Sequence, residues 1–531
     1  MRLIASATVG GSWEARDWTM LGVLFLVAVT LRAAFFTGFF GSDELIYSEA
    51  AYRIVTGEWP VSNYIGALRY GVNLPVAMFM KLFGMNELAA NLWSLVASVG
   101  EVVLVFFIGR MLWGVRAGFL AGLTVALLPL HVHFAGRLMA DSPLAFFMTL
   151  SCALFLLGEA TERPAWFFAA GLAAGASFWV KESPIIYVFI FAVYAFVRRR
   201  WNTYWLWMAG GAFAMLALNL LLMLWVTGNA WHVFNVNRAG VERFVEGGVK
   251  ETSPWFYLRY LLLDVRHTWL LGFFAIAGVV VLVRERIRTG TLAAGNAFVL
   301  VWAAGLIAVF SLLPLSLAPI KLIYKQTNYM LMFIAPLALL SGVALSRLHG
   351  AALVLAVGSL VVGSVTLAGL EQQAIQVFTA NSKAAVRFAE TMPGATIYAT
   401  DNNVNAEDYS NLMRGRGPGP VQFKELAELR DPGRSARAAN KPEFVVVDLE
   451  TIDWGNRGNP VKRIEDVPVC WERLSQLQPT GLGWGRFVVH AMLGMIEAFP
   501  ATIRAGALDK LAKLALPQPA YVYRIDPHCN P

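Results

Sequence analysis

WTMLGVLFLVAVTLRAAFFTGFF (residues 18–40) runs without a break into GSDELIYSEA (41–50). The first stretch is apolar over a length that can cross a bilayer, which needs about 20 residues of helix. It closes on two adjacent carboxylates, Asp43 and Glu44. A carboxylate is costly near hydrocarbon, so a chain that keeps two at the edge of a span usually has a use for them.

Working outward, the same pattern fills most of the chain. Of 531 residues, 57% are hydrophobic and 15% charged, with mean hydropathy +0.56; soluble globular proteins carry about 25% charge. This is the composition of a polytopic α-helical membrane protein. The first run ends in DEL, with no small-residue cleavage site, and reads as a retained anchor. Apolar runs predict spans near 18–40, 88–109, 116–135, 143–158, 166–180, 184–197, 205–227, 267–283, 297–318, 329–346 and 351–370, about eleven in all. Beyond Leu370 the composition shifts to polar stretches, Gly/Pro turns such as RGRGPGP, and short β-rich runs (ATIYAT, EFVVVDL, RFVVHAM, AYVYRI). The expected organisation is a transmembrane domain over 1–370 and a soluble α/β domain over 371–531.

Arg110, Arg116, Arg163, Arg198 to Arg200, Arg284, Arg286, Arg288 and Arg347 cluster in tight connections, the cytoplasmic signature. The opposite loops are also basic, but longer and mixed with acids. With an odd number of spans, the Asp43-Glu44 loop and the C-terminal domain then share the outer face. Cys470 and Cys529 both fall in that domain, where a disulfide is permitted but not dictated by sequence, and Cys152 reads as packing within a span. The net charge of +8 is dispersed, with no run resembling a nucleic-acid footprint; acidic headgroups or phosphates fit it better.

Five places on the outer side carry charge at the membrane boundary. Asp43 and Glu44 could be a helix start with Ser42 as N-cap, but the loop after them runs about 40 residues, a length usually kept for function. Tyr47 falls on the face of Asp43 if the stretch is helical. HVHFAGRLMADSP holds Arg137 and Asp141 at i, i+4, which a plain salt pair also explains; His131 and His133 at i, i+2 do not make a metal site. In GLAAGASFWVKESPIIYVFIFAVYAFV the apolar halves are about 14 residues each, about 21 Å as helix against a core of about 30 Å. The Lys181-Glu182 turn is therefore expected below the outer surface, the two neutralising each other or Lys181 facing an anion. The loop 229–266 interleaves Arg, Trp and Tyr, as an interfacial segment does. KLIYKQTNYM places Lys321, Tyr324, Lys325 and Tyr329 before a span, where snorkelling lysines are also ordinary.

DELIYSEAAYRIVTGEWP, RLMADSPLAFFMTL, GLAAGASFWVKESP and YKQTNYMLMFIAPLALLSGVAL, in that order over roughly 20–346, resemble the GT-C glycosyltransferases of the protein-mannosyltransferase and lipid A aminoarabinose-transferase type, glycosyltransferase family 39-like. One departure stands out: RYGVNLP replaces the Lys-Pro-Pro-Leu of many relatives and keeps only Leu74-Pro75. The resemblance implies sugar transfer from a polyprenyl-phosphate donor to a hydroxyl of an envelope glycan, lipid A or protein, in the bacterial inner membrane with the site facing the periplasm. It implies Asp43 as general base with Glu44 beside it. It further implies Arg137 and Lys181, with Lys325 or Arg69 added, as phosphate ligands, and Tyr47, Asp141, Glu182 and Tyr324 in support.

No cofactor is expected. The acidic D-x-D pair with which part of the superfamily holds a divalent ion does not occur in the outer membrane loops, so metal independence is the expectation and a divalent ion the alternative. Two rival functions compete: a transporter or flippase of lipid-linked sugar, for which no repeat relates the chain's halves, and a non-catalytic envelope assembly protein. Lipid-linked donor, envelope acceptor and membrane lipids are the expected partners, and nucleic acid is not.

Overall fold

The computed structural model describes residues 12–59, 61–182, 187–199, 201–246, 252–317, 320–430, 441–454, 459–526 and 529. Parts of the sequence reading lie outside them: 183–186 in KESP and the span it opens, Arg200, and 247–251 of the loop 229–266.

In chain order the helices are α1 (Ala15–Ala34), α2 (Asp43–Val55), α3 (Tyr70–Phe83), α4 (Glu87–Trp113), α5 (Val115–Leu127), α6 (Pro129–Ala135), α7 (Asp141–Thr161), α8 (Pro164–Val180), α9 (Tyr187–Arg198) and α10 (Trp205–Thr227). They continue with α11 (His232–Glu246), α12 (Phe256–Leu262), α13 (Leu271–Thr289), α14 (Ala294–Leu312), α15 (Leu331–Ser346), α16 (Gly350–Thr391), α17 (Asp401–Met413), α18 (Gly485–Ile496) and α19 (Ala501–Ala515). A hairpin of β1 (Pro314–Leu317) and β2 (Ile320–Leu322) precedes α15. β3 (Thr396–Ala399), β4 (Phe423–Glu425), β5 (Glu443–Asp448), β6 (Glu472–Gln476) and β7 (Ala520–Arg524) follow α16.

Seven described helices are long and apolar enough to cross a membrane, eight if α5 and α6 form one broken span, bent by 60°. The predicted span 116–135 is that pair: Pro129 has no N–H to continue the ladder and starts a new helix at its first position. α8 and α9 are apolar but shorter, 17 and 12 residues. The predicted first span also changes. Its helix ends at Ala34, and residues 35–42 are not helical.

The chain divides into two compact units, one of residues 1–34, 57–78 and 91–368, the other of 35–56, 79–90 and 369–531. Segments 35–56 and 79–90, which the sequence reading put in the transmembrane domain, thus pack with the C-terminal chain.

Small residues let the helices of the first unit approach closely. A Cβ on Gly171 would lie 2.0 Å from the Met208 carbonyl oxygen, and one on Gly278 2.1 Å from that of Leu340, so α8 meets α10 and α13 meets α15 backbone to backbone. α15 is buried along almost its whole length.

In the second unit a five-stranded sheet of order β4-β3-β5-β7-β6 is parallel on the β4, β3, β5 side and antiparallel on the other. All six residues of β5 are buried, because both faces are covered. Ile397, Val446 and Val522 pack with Ala385 and Ala389 of α16 on one side, and Tyr398, Val445 and Val447 with Trp471 and Leu426 on the other. Cys470 and Cys529 are joined by a disulfide, and Cys152 is free and buried. RFVVHAM, predicted as a strand, is part of α18: Gly485 and Val489 share its packed face at helical spacing, with Gly485 against the backbone of Gly369.

Candidate active site

Arg69, Asp141, Lys181 and Glu182 come from three separate stretches of the first unit and meet. α8 stops at Val180, and Lys181 is extended (φ −159°, ψ 152°), which turns its side chain out of the helix. Its Nζ donates to Asp141 Oδ1 at 2.8 Å and lies 4.8 Å from the centre of the Tyr329 ring. Asp141 opens α7, where a carboxylate faces the positive end of the helix. Its two oxygens also accept from Asn328 Nδ2, both at 3.3 Å. The neighbours Lys181 and Glu182 therefore do not neutralise each other. Glu182 accepts from Arg69, Nε at 3.1 Å and Nη2 at 2.9 Å, a two-pronged pair.

Arg69 reaches this place through backbone packing. A Cβ on Gly71 would lie 2.7 Å from the Val180 amide nitrogen, so only glycine lets the start of α3 touch the end of α8. Asn73 braces the turn ahead of Arg69, its Nδ2 donating to the carbonyls of Gly66 and Ala67. Tyr329 lies within electrostatic reach of Lys181, Asp141, Arg69 and Glu182 together. The ion pairs keep some contact with solvent: side-chain exposure is 10% for Lys181, 11% for Arg69 and 15% for Glu182.

The other predicted cations are placed differently. Arg137 is buried just after α6, its Nη1 3.4 Å from His133 Nε2 and its guanidinium 5.7 Å from the Phe134 ring centre. Lys325 is buried and donates to the carbonyls of Phe310 and Ser311 at the end of α14, at 2.5 and 3.0 Å. There it satisfies backbone acceptors that the helix end leaves open. Tyr324 is half-buried beside it.

Asp43, Glu44 and Tyr47 belong to the second unit, on α2. Asp43 is partly exposed; Glu44 and Tyr47 are buried, each at 1% exposure. Ser42 does occupy the N-cap position, but its side chain makes no capping bond. The Glu44 carboxylate accepts from the Ser42 N–H at 3.0 Å and from its hydroxyl at 3.1 Å. Of the two adjacent acids, Glu44 is thus turned inward to close the helix start and Asp43 is left at the surface. Among the described residues no three His, Cys, Asp or Glu side chains are grouped to hold a metal.

The sequence reading missed Asn328, an uncharged residue among the basic and aromatic ones it weighed. It also missed a second ionic network in the first unit, with Arg32 and Glu101 at its ends. The signal was available there: both are charged residues in apolar runs.

This assembly of short and long apolar helices, a C-terminal α/β unit and a cation-carboxylate cluster at helix ends is a GT-C-type membrane fold. Residues 71–225 match the family model described as dolichyl-phosphate-mannose-protein mannosyltransferase. The undecaprenyl phosphate-alpha-4-amino-4-deoxy-L-arabinose arabinosyl transferase of Edwardsiella ictaluri is 30% identical over 329 residues, 58% of this chain and 56% of that protein. Its namesake in Erwinia tasmaniensis is 26% identical over 340 residues, 60% and 56% of the two chains. The chain spans about half the length of the curated relatives it matches. Among solved structures, ArnT from Cupriavidus metallidurans bound to undecaprenyl phosphate superposes with TM-score 0.55 at 18% identity, over 82% of this chain and 94% of that one. AglB from Archaeoglobus fulgidus, an archaeal oligosaccharyltransferase in complex with an inhibitory peptide and a dolichol-phosphate, gives 0.54 at 12% identity over 97% and 89%. Over these stretches the chain is similar to glycosyltransferases of ArnT and protein-mannosyltransferase type, and it shares the fold of the solved ArnT and AglB structures.

Proposed function

We propose that this protein transfers a sugar from a polyprenyl-phosphate donor to a hydroxyl acceptor of the cell envelope, at the outer, periplasmic face of the inner membrane. The observation that carries the reading is the meeting of Lys181, Asp141, Asn328, Arg69 and Glu182 from distant stretches of chain. A polyprenyl phosphate leaves as an anion, and fixed cations in a place of low dielectric stabilise that charge as it develops. Asp43 takes the proton of the acceptor hydroxyl, whose oxygen attacks the anomeric carbon as the carbon–phosphate oxygen bond breaks. One displacement inverts the anomeric centre. Arg137 joins the phosphate ligands; Lys325, engaged by backbone carbonyls, supports the end of α14.

The names of the curated relatives favour 4-amino-4-deoxy-L-arabinose carried on undecaprenyl phosphate as the donor. The topology that fits has eleven passes with the amino terminus inside, which puts the α2 loop and residues 371–531 on one outer side. Metal-independent chemistry fits the donor set, since the cations here are side chains.

Purified full-length protein given labelled polyprenyl-phosphate sugar and an envelope lipid extract should consume the donor and label the acceptor. Folded Asp43→Asn protein should lose about 10²- to 10⁴-fold of that transfer. Donor moved across a vesicle without being consumed would make the protein a transporter, and full activity in Asp43→Asn would remove the base.

A further inference from the structure

The α/β unit holds the loop that carries Asp43. Between α1 and α2, residues 36 and 39–41 are fastened to it. Gln372 Nε2 donates to the Phe36 carbonyl at 3.1 Å, Glu87 Oε1 accepts the Phe39 N–H at 2.8 Å, and Asn402 Nδ2 donates to the Phe40 carbonyl at 2.9 Å. Asn405 Nδ2 adds a longer contact of 3.4 Å to the Gly41 carbonyl. Phe39 stacks on Tyr409 and Phe40 on Phe378, with ring centres 4.8 and 5.0 Å apart, and Trp454 meets the edge of Phe40.

Asn402 is the centre of this fastening. It lies in the first turn of α17, directly after β3, and is fully buried. Ser382 of α16 donates to its Oδ1 at 2.7 Å, which fixes the amide so that Nδ2 points at the loop. The loop is shaped to receive it. Gly41 has φ +104°, and a Cβ there would stand 2.3 Å from Asn402 Nδ2; Gly38 has φ +70°, and its Cβ would stand 2.3 Å from Glu87 Oε1. Both glycines are required by backbone angle and by space. Two residues after Gly41 comes Asp43.

We infer that Asn402, oriented by Ser382, is a positioning residue for Asp43, and that setting this carboxylate is a catalytic task of the C-terminal α/β unit. The inference rests on the reading of Asp43 as base. A general base works only within hydrogen-bond reach of its proton, and a displacement of about 1 Å can cost about 10²-fold in rate. A loop of small and aromatic residues has no regular backbone ladder to hold it that well, and the unit supplies the missing donors.

The test uses full-length protein in detergent and two readouts. Hydrogen exchange read by mass spectrometry should show faster exchange in Asn402→Ala over peptides covering 36–48, while peptides of β3 and β5 stay protected as in wild type. Ser382→Ala should give the same change, weaker. Transfer from a labelled polyprenyl-phosphate sugar should fall about 10²-fold in kcat for Asn402→Ala, with donor KM unchanged. In an Asp43→Asn background, Asn402→Ala should cost nothing further. An exchange pattern identical to wild type overturns the inference, as does a full additional loss in the double variant. If Asp43→Asn alone keeps full activity, the base assignment fails while the exchange result still reports the fastening.

Discussion

Two ionic clusters in the membrane unit are made from the same chemistry and built for different ends. In one, Arg32 of α1 donates from Nε to Ser98 Oγ at 2.7 Å and from Nη1 to the carbonyls of Ala28 and Ala126, and its Nη2 stands 2.6 Å from His131 Nδ1. His131 Nε2 meets Glu101 Oε2 at 2.9 Å, and Thr149 donates to the other oxygen of Glu101. Arg32 is 1% exposed, Glu101 and His131 0%. In the other, Lys181 and Asp141 with Arg69 and Glu182 keep exposure of 10 to 15% on three of the four side chains. The first network is sealed, tying α1, α4, α5, α6 and α7 together. The second pairs its cations with carboxylates and keeps solvent access; under the proposed function an incoming phosphate competes with those carboxylates. Charge inside a membrane protein therefore does not by itself mark a ligand site; the partners and access decide.

The sharpest way to break the comparison is to remove one charge from each cluster. Lys181→Gln keeps an amide to donate to Asp141 but loses the cation. It should lower transfer by about 10²- to 10³-fold, as loss of one transition-state donor does, while the melting temperature in detergent falls less than in Glu101→Leu, because Asn328 and the new amide still donate to Asp141. Glu101→Leu should do the reverse. It leaves Arg32 and His131 buried without their carboxylate, which costs about 3–5 kcal/mol, so the folded yield should collapse while the rate per folded molecule persists. A large loss of rate with normal stability in Glu101→Leu would erase the distinction.

The closed network can be tested further by replacing all three of its ionisable members. Arg32→Met, Glu101→Leu and His131→Phe together should be less harmful than Glu101→Leu alone, because apolar replacement removes the charges whose partner was lost. Thermal melts of the single and triple variants decide this. At the open cluster, Arg69→Lys should weaken activity by about 10-fold, since lysine cannot reproduce the two-pronged grip on Glu182.

The comparison also explains what was legible in the sequence. Seven of the eleven expected spans, or eight with the bent pair, could be placed because a membrane helix declares itself in its own residues. FFTGFF could not be assigned correctly, because an apolar side chain does not state whether it packs on lipid or on protein; Phe39 and Phe40 pack on Tyr409 and Phe378. Arg69, Asp141, Lys181 and Glu182 stood out by charge at span ends, but their pairing did not, since each partner is chosen by tertiary contact. Lys325 shows the cost of reading charge alone: its ammonium serves two carbonyls. Asn328 and Asn402 carry no charge and lie in no motif, so only their neighbours reveal them.

The smallest effect comes from a buried acid that, among the described residues, is held by hydrogen bonds and not by a cation. Asp448, at the end of β5 in the second unit, is fully buried. Its carboxylate accepts from Asn381 Nδ2 at 2.7 Å, the Thr451 hydroxyl at 2.7 Å and the Glu450 N–H at 3.1 Å. Burial pushes its pKa above the usual carboxylate value, and these hydrogen bonds offset only part of that. Between the unfolded value of about 3.9 and the raised folded one, the folded protein keeps a proton that the unfolded chain has released. Stability contributed by Asp448 is therefore present below that window and lost as pH rises through it. Asp448→Asn has no proton to lose, so melts recorded from pH 4 upward should show a flatter decline than wild type. An unchanged slope would mean that the three hydrogen bonds already compensate this carboxylate in full.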